Sequence, residues 1–396
     1  SSIIEKTPTT GKLTIEKKNA NGSAALPWAT FEIYKVMSLT PGENPGKYAS
    51  YKAEAPFADV LATKNIKSDV LDNYSAADLE RIITDLKTVA TKGSGIEKTT
   101  DNNGNAVFDN LALGYYLVVE TAAPSGYVAG SPFLVAIPST DNYNDTTATG
   151  TAGTSWVYDV TVQPKNAQVS INKKLDDAED GSVKVDDYVK YVITTAIPNY
   201  PAEYTNAVFR IHDVMSDGLA IQNDNTHPIV VKVGGTPVDA NDNTYTVEAQ
   251  NKTGDAADLI ITFNSTYIMT ETNKGNPVEV TYYAKVTDKA VTGTQGNPNK
   301  VTLDYNHQPG EEAHAETPEV KVYSFNIKVE KFTNEGSQKA LSGAKFGLYS
   351  NVKCTDDVKI GEATSNDSGV LGFEKIDEGT YYLKEIASPK GYTLLT

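Results

Sequence analysis

Apolar residues in this chain recur mostly at every second position. Leu13 and Ile15 lead to Lys17 in this way, and Val169 and Ile171 lead to Lys173 and Leu175. In an extended strand alternate side chains point to opposite faces, so such runs read as half-buried strands. Residues 187–197 form a long run closed by Pro198, and residues 207–213 a second, closed by the turn Ser216-Asp217-Gly218. Residues 278–286, 300–305 and 317–323 continue the pattern. Short alternating strands joined by Gly, Asn and Asp turns predict an antiparallel sandwich. One stretch has a different period. Leu79, Ile82, Ile83, Leu86 and Ala90 follow helical spacing, and Ser75-Ala-Ala-Asp78 reads as a capping box with Asp in place of Glu. This helix sits in an insertion of roughly residues 40–98. It is either packed on a sandwich, or a cover over a groove at Lys165 or a subunit contact.

The pattern also repeats. Gly104, Phe108, Leu111, Gly114, Tyr116, Glu120, Pro124, Gly126 and Tyr127 recur without a gap as Gly369, Phe373, Ile376, Gly379, Tyr381, Glu385, Pro389, Gly391 and Tyr392. Upstream, Leu13-Thr-Ile15-Glu-Lys17 parallels Ile327-Lys-Val329-Glu-Lys331, and Ala29-Thr-Phe31 parallels Ala344-Lys-Phe346. Two units of one kind therefore bracket a different middle one. No low-complexity linker separates them.

Composition narrows the setting. At 396 residues the chain is too long for one ordinary domain. Its formal charge of −16, with no basic run, argues against nucleic acid and anionic membranes as partners. No apolar run reaches transmembrane length and no signal peptide opens the chain, so it reads as a mature form. The single cysteine, Cys354, excludes an internal disulfide. Abundant tyrosine (23 residues) and scarce methionine (3) favour strands over helices. A secreted β-protein without disulfides needs another source of strength, or large cores.

Parity carries several charged residues inward. Lys17 follows Leu13 and Ile15, and Lys331 follows Ile327 and Val329. Glu385 lies opposite Lys384, on the face of Leu383, and Glu120 holds the same place in the first copy. Trp156, Val160, Val162 and Asn166 share one parity, so the tryptophan and valines face a core and Asn166 follows. Lys165 faces out. Pro164 keeps Gln163 extended and withholds a ladder donor, which suits an edge or a strand end. Burial favours the neutral form of a carboxyl, a proton donor, and of a lysine, a nucleophile. With the Asn166 amide as electrophile, lysine, acid and asparagine in one dry core can condense to an amide, losing ammonia. Fixed proximity would substitute for an enzyme. The alternative is a plain ion pair between the inward lysines and glutamates.

Residues 156–165 resemble the pilin motif WxxxVxVYPK of sortase-assembled pili in Gram-positive bacteria, with Gln163 in place of tyrosine. The motif lysine of that family attacks a sortase-bound neighbouring subunit, which assigns the intersubunit link to Lys165. A surface lysine at a domain boundary is the other reading. Residues 120–127, ETAAPSGY, are similar to the ETxAPxGY signature of B-type repeat domains of Gram-positive surface adhesins, and 385–392 match it more loosely. Those domains carry spontaneous Lys–Asn isopeptide bonds with the glutamate as proton shuttle. By position the resemblance implies Lys17, Asn166 and Glu120 in the first unit. In the third it implies Lys331 and Glu385, with an acceptor asparagine beyond Thr396. The middle unit resembles the A-type isopeptide fold. Lys173 is its candidate lysine, with Lys174 solvated, and Asp213, sharing parity with Phe209 and Ile211, its acid. Asn299, in phase with Val301, Leu303 and Tyr305, is its acceptor, and Asn306 the fallback.

The resemblance thus implies an all-β chain of tandem immunoglobulin-like β-sandwiches. Residues 1–166 are B-type with the helical insertion, 167–322 A-type, and 323–396 B-type with the last strand missing. It implies a secreted, cell wall-anchored shaft pilin that supports host adhesion and colonisation. Such a chain has no cofactor, no metal and no enzymatic activity beyond forming its own bonds. Its partners are identical subunits, a pilus-specific sortase, minor and tip pilins, and host surface ligands. The LPXTG-like sorting signal, apolar segment and basic tail of such proteins are not in this sequence. One rival is a non-polymerising adhesin or tip protein with stalk domains, which needs a separate ligand-binding domain. The other is an extracellular hydrolase, for which no triad, paired carboxylate cleft or metal cluster is visible. Asp101-Asn-Asn103-Gly104-Asn105 has part of a calcium loop, but a hairpin turn is the plainer reading.

Overall fold

The computed structural model describes residues 9–41, 48–64, 76–139 and 156–395. Two sheets face each other in the first unit. One has the strand order 105–112, 10–16, 159–162. The other runs 48–53, 30–41, 114–122, 133–137, with 96–99 also paired to 30–41. Phe31 and Ile33 turn into the space between the sheets, where they meet Leu13, Ile15, Phe108 and Val118. Tyr34 and Val36 point to the other face of the same sheet. Helices Phe57–Thr63 and Ala76–Val89 cover that face through Phe57, Leu61, Ile82 and Leu86. Each large side chain so buried contributes roughly 1.5–3 kcal/mol. The helical period therefore reflects packing on the sheet. Ser75 of the expected capping box lies outside the described residues. Asp101 closes a hairpin turn, its carboxylate accepting from the Asn103 and Asn105 amides, both at 2.9 Å.

Two expectations are corrected here. The first sandwich is not purely antiparallel. Strands 10–16 and 159–162 run parallel, Ile15 opposite Val162, and beyond them Lys18 and Asn19 lie opposite Lys165 and Asn166. Alternation cannot reveal this, because a two-residue period is common to both pairing directions. Trp156, expected in the core, is only partly buried and stands outside the core cluster, against which Val157 and Tyr158 pack instead. The regular strand starts at Asp159, after a bend, so parity does not extend back to Trp156.

The middle unit is a second sandwich. Its first sheet has the order 171–175, 188–196, 277–286, 230–233, 236–237, with 219–222 also on 277–286. Its second has the order 245–249, 259–263, 209–215, 297–308, 311–316, with 320–322 also on 297–308. Tyr191, Ile193, Tyr282, Phe209, Ile211 and Leu303 fill the space between. In the third unit 325–330 pairs with 370–376, and 345–349 lies between 359–364 and 382–387.

Backbone hydrogen bonds join the units. Val128 N donates to Ala167 O, Ala129 N to His307 O, and the Tyr204 hydroxyl to Ala129 O. Val128 is buried in the middle core, across the boundary expected at 166. At the second junction Val183 N donates to Tyr323 O and Tyr323 N to Gly181 O.

Candidate functional site

Parallel pairing brings the two ends of the first unit together at Lys17 and Asn166. Lys17 has no exposed surface and Asn166 only 1%. The Lys17 Nζ contacts Asn166 Oδ1 closely and lies 3.2 Å from Glu120 Oε2. Asn166 Nδ2 donates to Glu120 Oε1 at 2.7 Å, and Gly130 N to Oε2 at 2.9 Å. One carboxyl thus touches both the amine and the amide nitrogen. Phe31 lies beneath the lysine, its ring centre 5.5 Å from Nζ. Burial lowers the Lys17 pKa, opposed by the Glu120 charge, so the amine is biased toward its neutral, nucleophilic form.

In the middle unit Lys173, Asp213 and Asn299 are all buried between the two sheets. Lys173 Nζ lies 2.5 Å from Asp213 Oδ2. The Tyr282 hydroxyl donates to the same oxygen at 2.8 Å and accepts from Asn299 Nδ2 at 3.0 Å. The acid therefore reaches the amide through a phenol rather than directly. Asn299 Oδ1 and Asp213 Oδ1 are buried without a hydrogen-bond partner among the described residues. Tyr191 and Tyr282 stack at 5.5 Å, and Lys173 Nζ sits 5.0 Å from the first ring centre and 5.5 Å from the second. The tyrosines are absent from the sequence-based site, although both alternate in phase with inward valines and isoleucines. The fallback Asn306 is occupied elsewhere. Its Oδ1 accepts from Val208 N at 2.7 Å and its Nδ2 donates to Glu311 O at 3.3 Å.

The third unit repeats the first. Lys331 Nζ lies 3.3 Å from Glu385 Oε2 and 5.7 Å from the Phe346 ring centre. Leu395 N donates to Glu385 Oε2 at 2.8 Å, as Gly130 N does to Glu120. Glu385 Oε1 is buried with no partner among the described residues, whereas its counterpart on Glu120 receives Asn166 Nδ2. Leu383, expected on the apolar face of Glu385, is 39% exposed.

Lys165 is exposed beside buried Asn166. It lines a groove of about 540 Å³ at the first junction, together with Gly130, Ser131, Ala196, Pro201 and Gly275. Among the described residues, neither helix contributes to the walls of this groove.

Burial lowers the Lys173 pKa to about 8, against the pull of Asp213, and raises that of Asp213. A free Lys173 amine therefore holds its proton less well in the folded chain than in the unfolded one. Between about 8 and the ordinary 10.5 the unfolded state binds more protons, so stability rises with pH in that window. Asn299→Ala keeps the amine free. Denaturant titrations of it should show a gain of up to about 3 kcal/mol across the window. A wild-type chain whose Lys173 is an amide has no such proton to lose. An equal rise in both proteins would argue against the bond.

A family model for the SpaA prealbumin-like fold domain matches residues 11–152 and 325–396, more than half of the chain and both copies of its repeat. The trypsin-resistant surface T6 protein of Streptococcus pyogenes is 26% identical over 74% of this chain, which spans 56% of that relative's length. The fold is similar to that of the T6 backbone pilin of serotype M6 S. pyogenes, with TM-score 0.70 and 21% identity, covering 98% of this chain and 79% of that one. Against the major pilin SpaD of Corynebacterium diphtheriae the TM-score is 0.62 at 27% identity, covering 97% and 88%.

Proposed function

From a chain that belongs to the SpaA prealbumin-like fold family, we propose a structural subunit of a covalently polymerised surface pilus, joined to identical subunits through Lys165 by a sortase. Internal Lys–Asn bonds stabilise each subunit. The observation that carries this reading is the meeting of Lys17, Glu120 and Asn166 in one buried cluster, with Lys165 exposed next to it. Relatives of this chain are surface and pilus proteins, structural rather than enzymatic. A pilus-specific sortase, minor and tip pilins, cell-wall attachment and host adhesion complete the proposal.

The distances support the following internal reaction. Lys17 Nζ attacks Asn166 Cγ. The Nζ–Cγ bond forms, the Cγ–Nδ2 bond breaks, and Nδ2 leaves as ammonia with a proton from Nζ. Glu120 touches both nitrogens and is placed to carry that proton. Burial keeps the reactants together and dry, which replaces an external catalyst. In the middle unit Asp213 takes the proton from Lys173 and passes it toward Asn299 through Tyr282. In the third unit the same reading requires an asparagine amide donating to Glu385 Oε1.

Digests of polymer from the producing bacterium test the linkage. A branched peptide should join Lys165 of one copy to the C-terminal residues of another. Branches found only at other lysines would refute the assignment.

A further inference from the structure

Trp28 belongs to none of the core clusters among the described residues. It is 69% exposed, the most of any large apolar side chain among the described residues. Its φ of 69° lies in the left-handed region, where a bulky side chain is strained and glycine is not. The internal repeat supplies a control, because the same position in the third unit is Gly343, with φ 84°. The surrounding hydrogen bonds are the same. Trp28 N donates to Thr100 O, and Gly343 N to Ser365 O. Ala29 N donates to Thr100 Oγ1, and Ala344 N to Ser365 Oγ, each at 2.9 Å. Thr100 Oγ1 and Ser365 Oγ in turn donate to the carbonyls of Leu26 and Leu341. The turn therefore forms with glycine, and tryptophan adds strain while remaining in water. Strain that folding does not require points to a function outside the monomer.

The chain just before Trp28 returns along Lys17 and Lys18, with Leu26 N donating to Lys17 O and Lys18 bridged to Ala25. On its other side Lys18 pairs with Lys165. Two strand spacings put the backbone of Ala25 about 10 Å from that of Lys165. At the tip of this hairpin, a Cβ on Gly22 would sit 3.6 Å from the Lys165 Nζ.

We propose that Trp28 is the non-covalent docking anchor for a second copy of this chain on the Lys165 face. The proposal rests on Lys165 as the linking residue. An amide through a lysine side chain is a flexible tether, which holds the neighbouring copy at high local concentration without fixing its orientation. A tryptophan buried between the copies supplies the fixed contact, as aromatic anchors do at protein interfaces.

Hydroxyl-radical labelling read by mass spectrometry, on monomer and on covalent polymer from the producing bacterium, tests it. Trp28 should lose most of its oxidation in the polymer, while exposed Val352 keeps its own. Trp28→Gly should leave monomer melting and internal bonds intact, since the repeat carries glycine there, and should slow polymer growth. Equal oxidation of Trp28 in both samples, with Lys165 branches present, overturns the anchor alone. Absence of Lys165 branches overturns the linkage and the anchor with it. Protection by sortase alone, lost in finished polymer, assigns Trp28 to the enzyme's docking and also overturns the proposal.

Discussion

Cells producing Lys165→Arg in place of the native chain should secrete a folded, internally bonded monomer and lose the high-mass polymer ladder. Lys165 faces solvent while adjacent Asn166 is committed to the core, so the substitution leaves the buried cluster intact. A sortase acyl-enzyme is resolved by an amine that reaches it and loses a proton there. Arginine keeps the charge and much of the reach, but its guanidinium does not form that amide. The comparison therefore isolates nucleophilicity from charge. Immunoblots of cell-wall extracts provide the readout. A normal ladder from this variant would end the shaft assignment and favour the stalk-adhesin reading.

Removing the buried acids should abolish the internal bonds. Glu120→Ala should bring the intact mass one ammonia closer to the value its own sequence requires and release the Lys17 and Asn166 peptides as separate species after trypsin. Asp213→Ala should do the same for Lys173 and Asn299, and the middle unit should melt earlier and become protease-sensitive. By analogy with a disulfide closing a loop of this length, the lost cross-link is worth about 4–5 kcal/mol. Asp213→Ala also strands a buried lysine, which costs about 3–5 kcal/mol by itself. Asn299→Ala separates the two effects, because it removes the bond and leaves Lys173 paired with Asp213. An unchanged ammonia deficit against sequence mass, with unchanged melting, in Asp213→Ala would refute the middle-unit assignment.

Much of this site is written in local pattern. Which face a strand residue takes depends on its neighbours two positions away, so parity turned Lys17, Asn166, Lys173, Asp213 and Asn299 inward, although the choice of Lys173, Asp213 and Asn299 rested more on the family resemblance. All five are buried. The repeat likewise marked Glu120 and Glu385 as equivalent, and they take equivalent partners. The pattern failed where strand geometry stops, as at Trp156 ahead of the strand that begins at Asp159. It missed helix Phe57–Thr63, whose two turns are too short for a period to emerge.

Which inward residues meet was decided by the tertiary structure. Lys17 reaches Asn166 because the first and last strands of its unit close in parallel, a choice that alternation leaves open. Asn299 rather than Asn306 enters the middle cluster because the register sets Asn299 opposite Met215, near Asp213, whereas Asn306 caps the backbone of Val208. Tyr282 became the bridge between acid and amide only once the two sheets stacked. A period reports the direction of a side chain. Its partner across the core depends on sheet order and register, which are set by contacts between segments far apart in the chain.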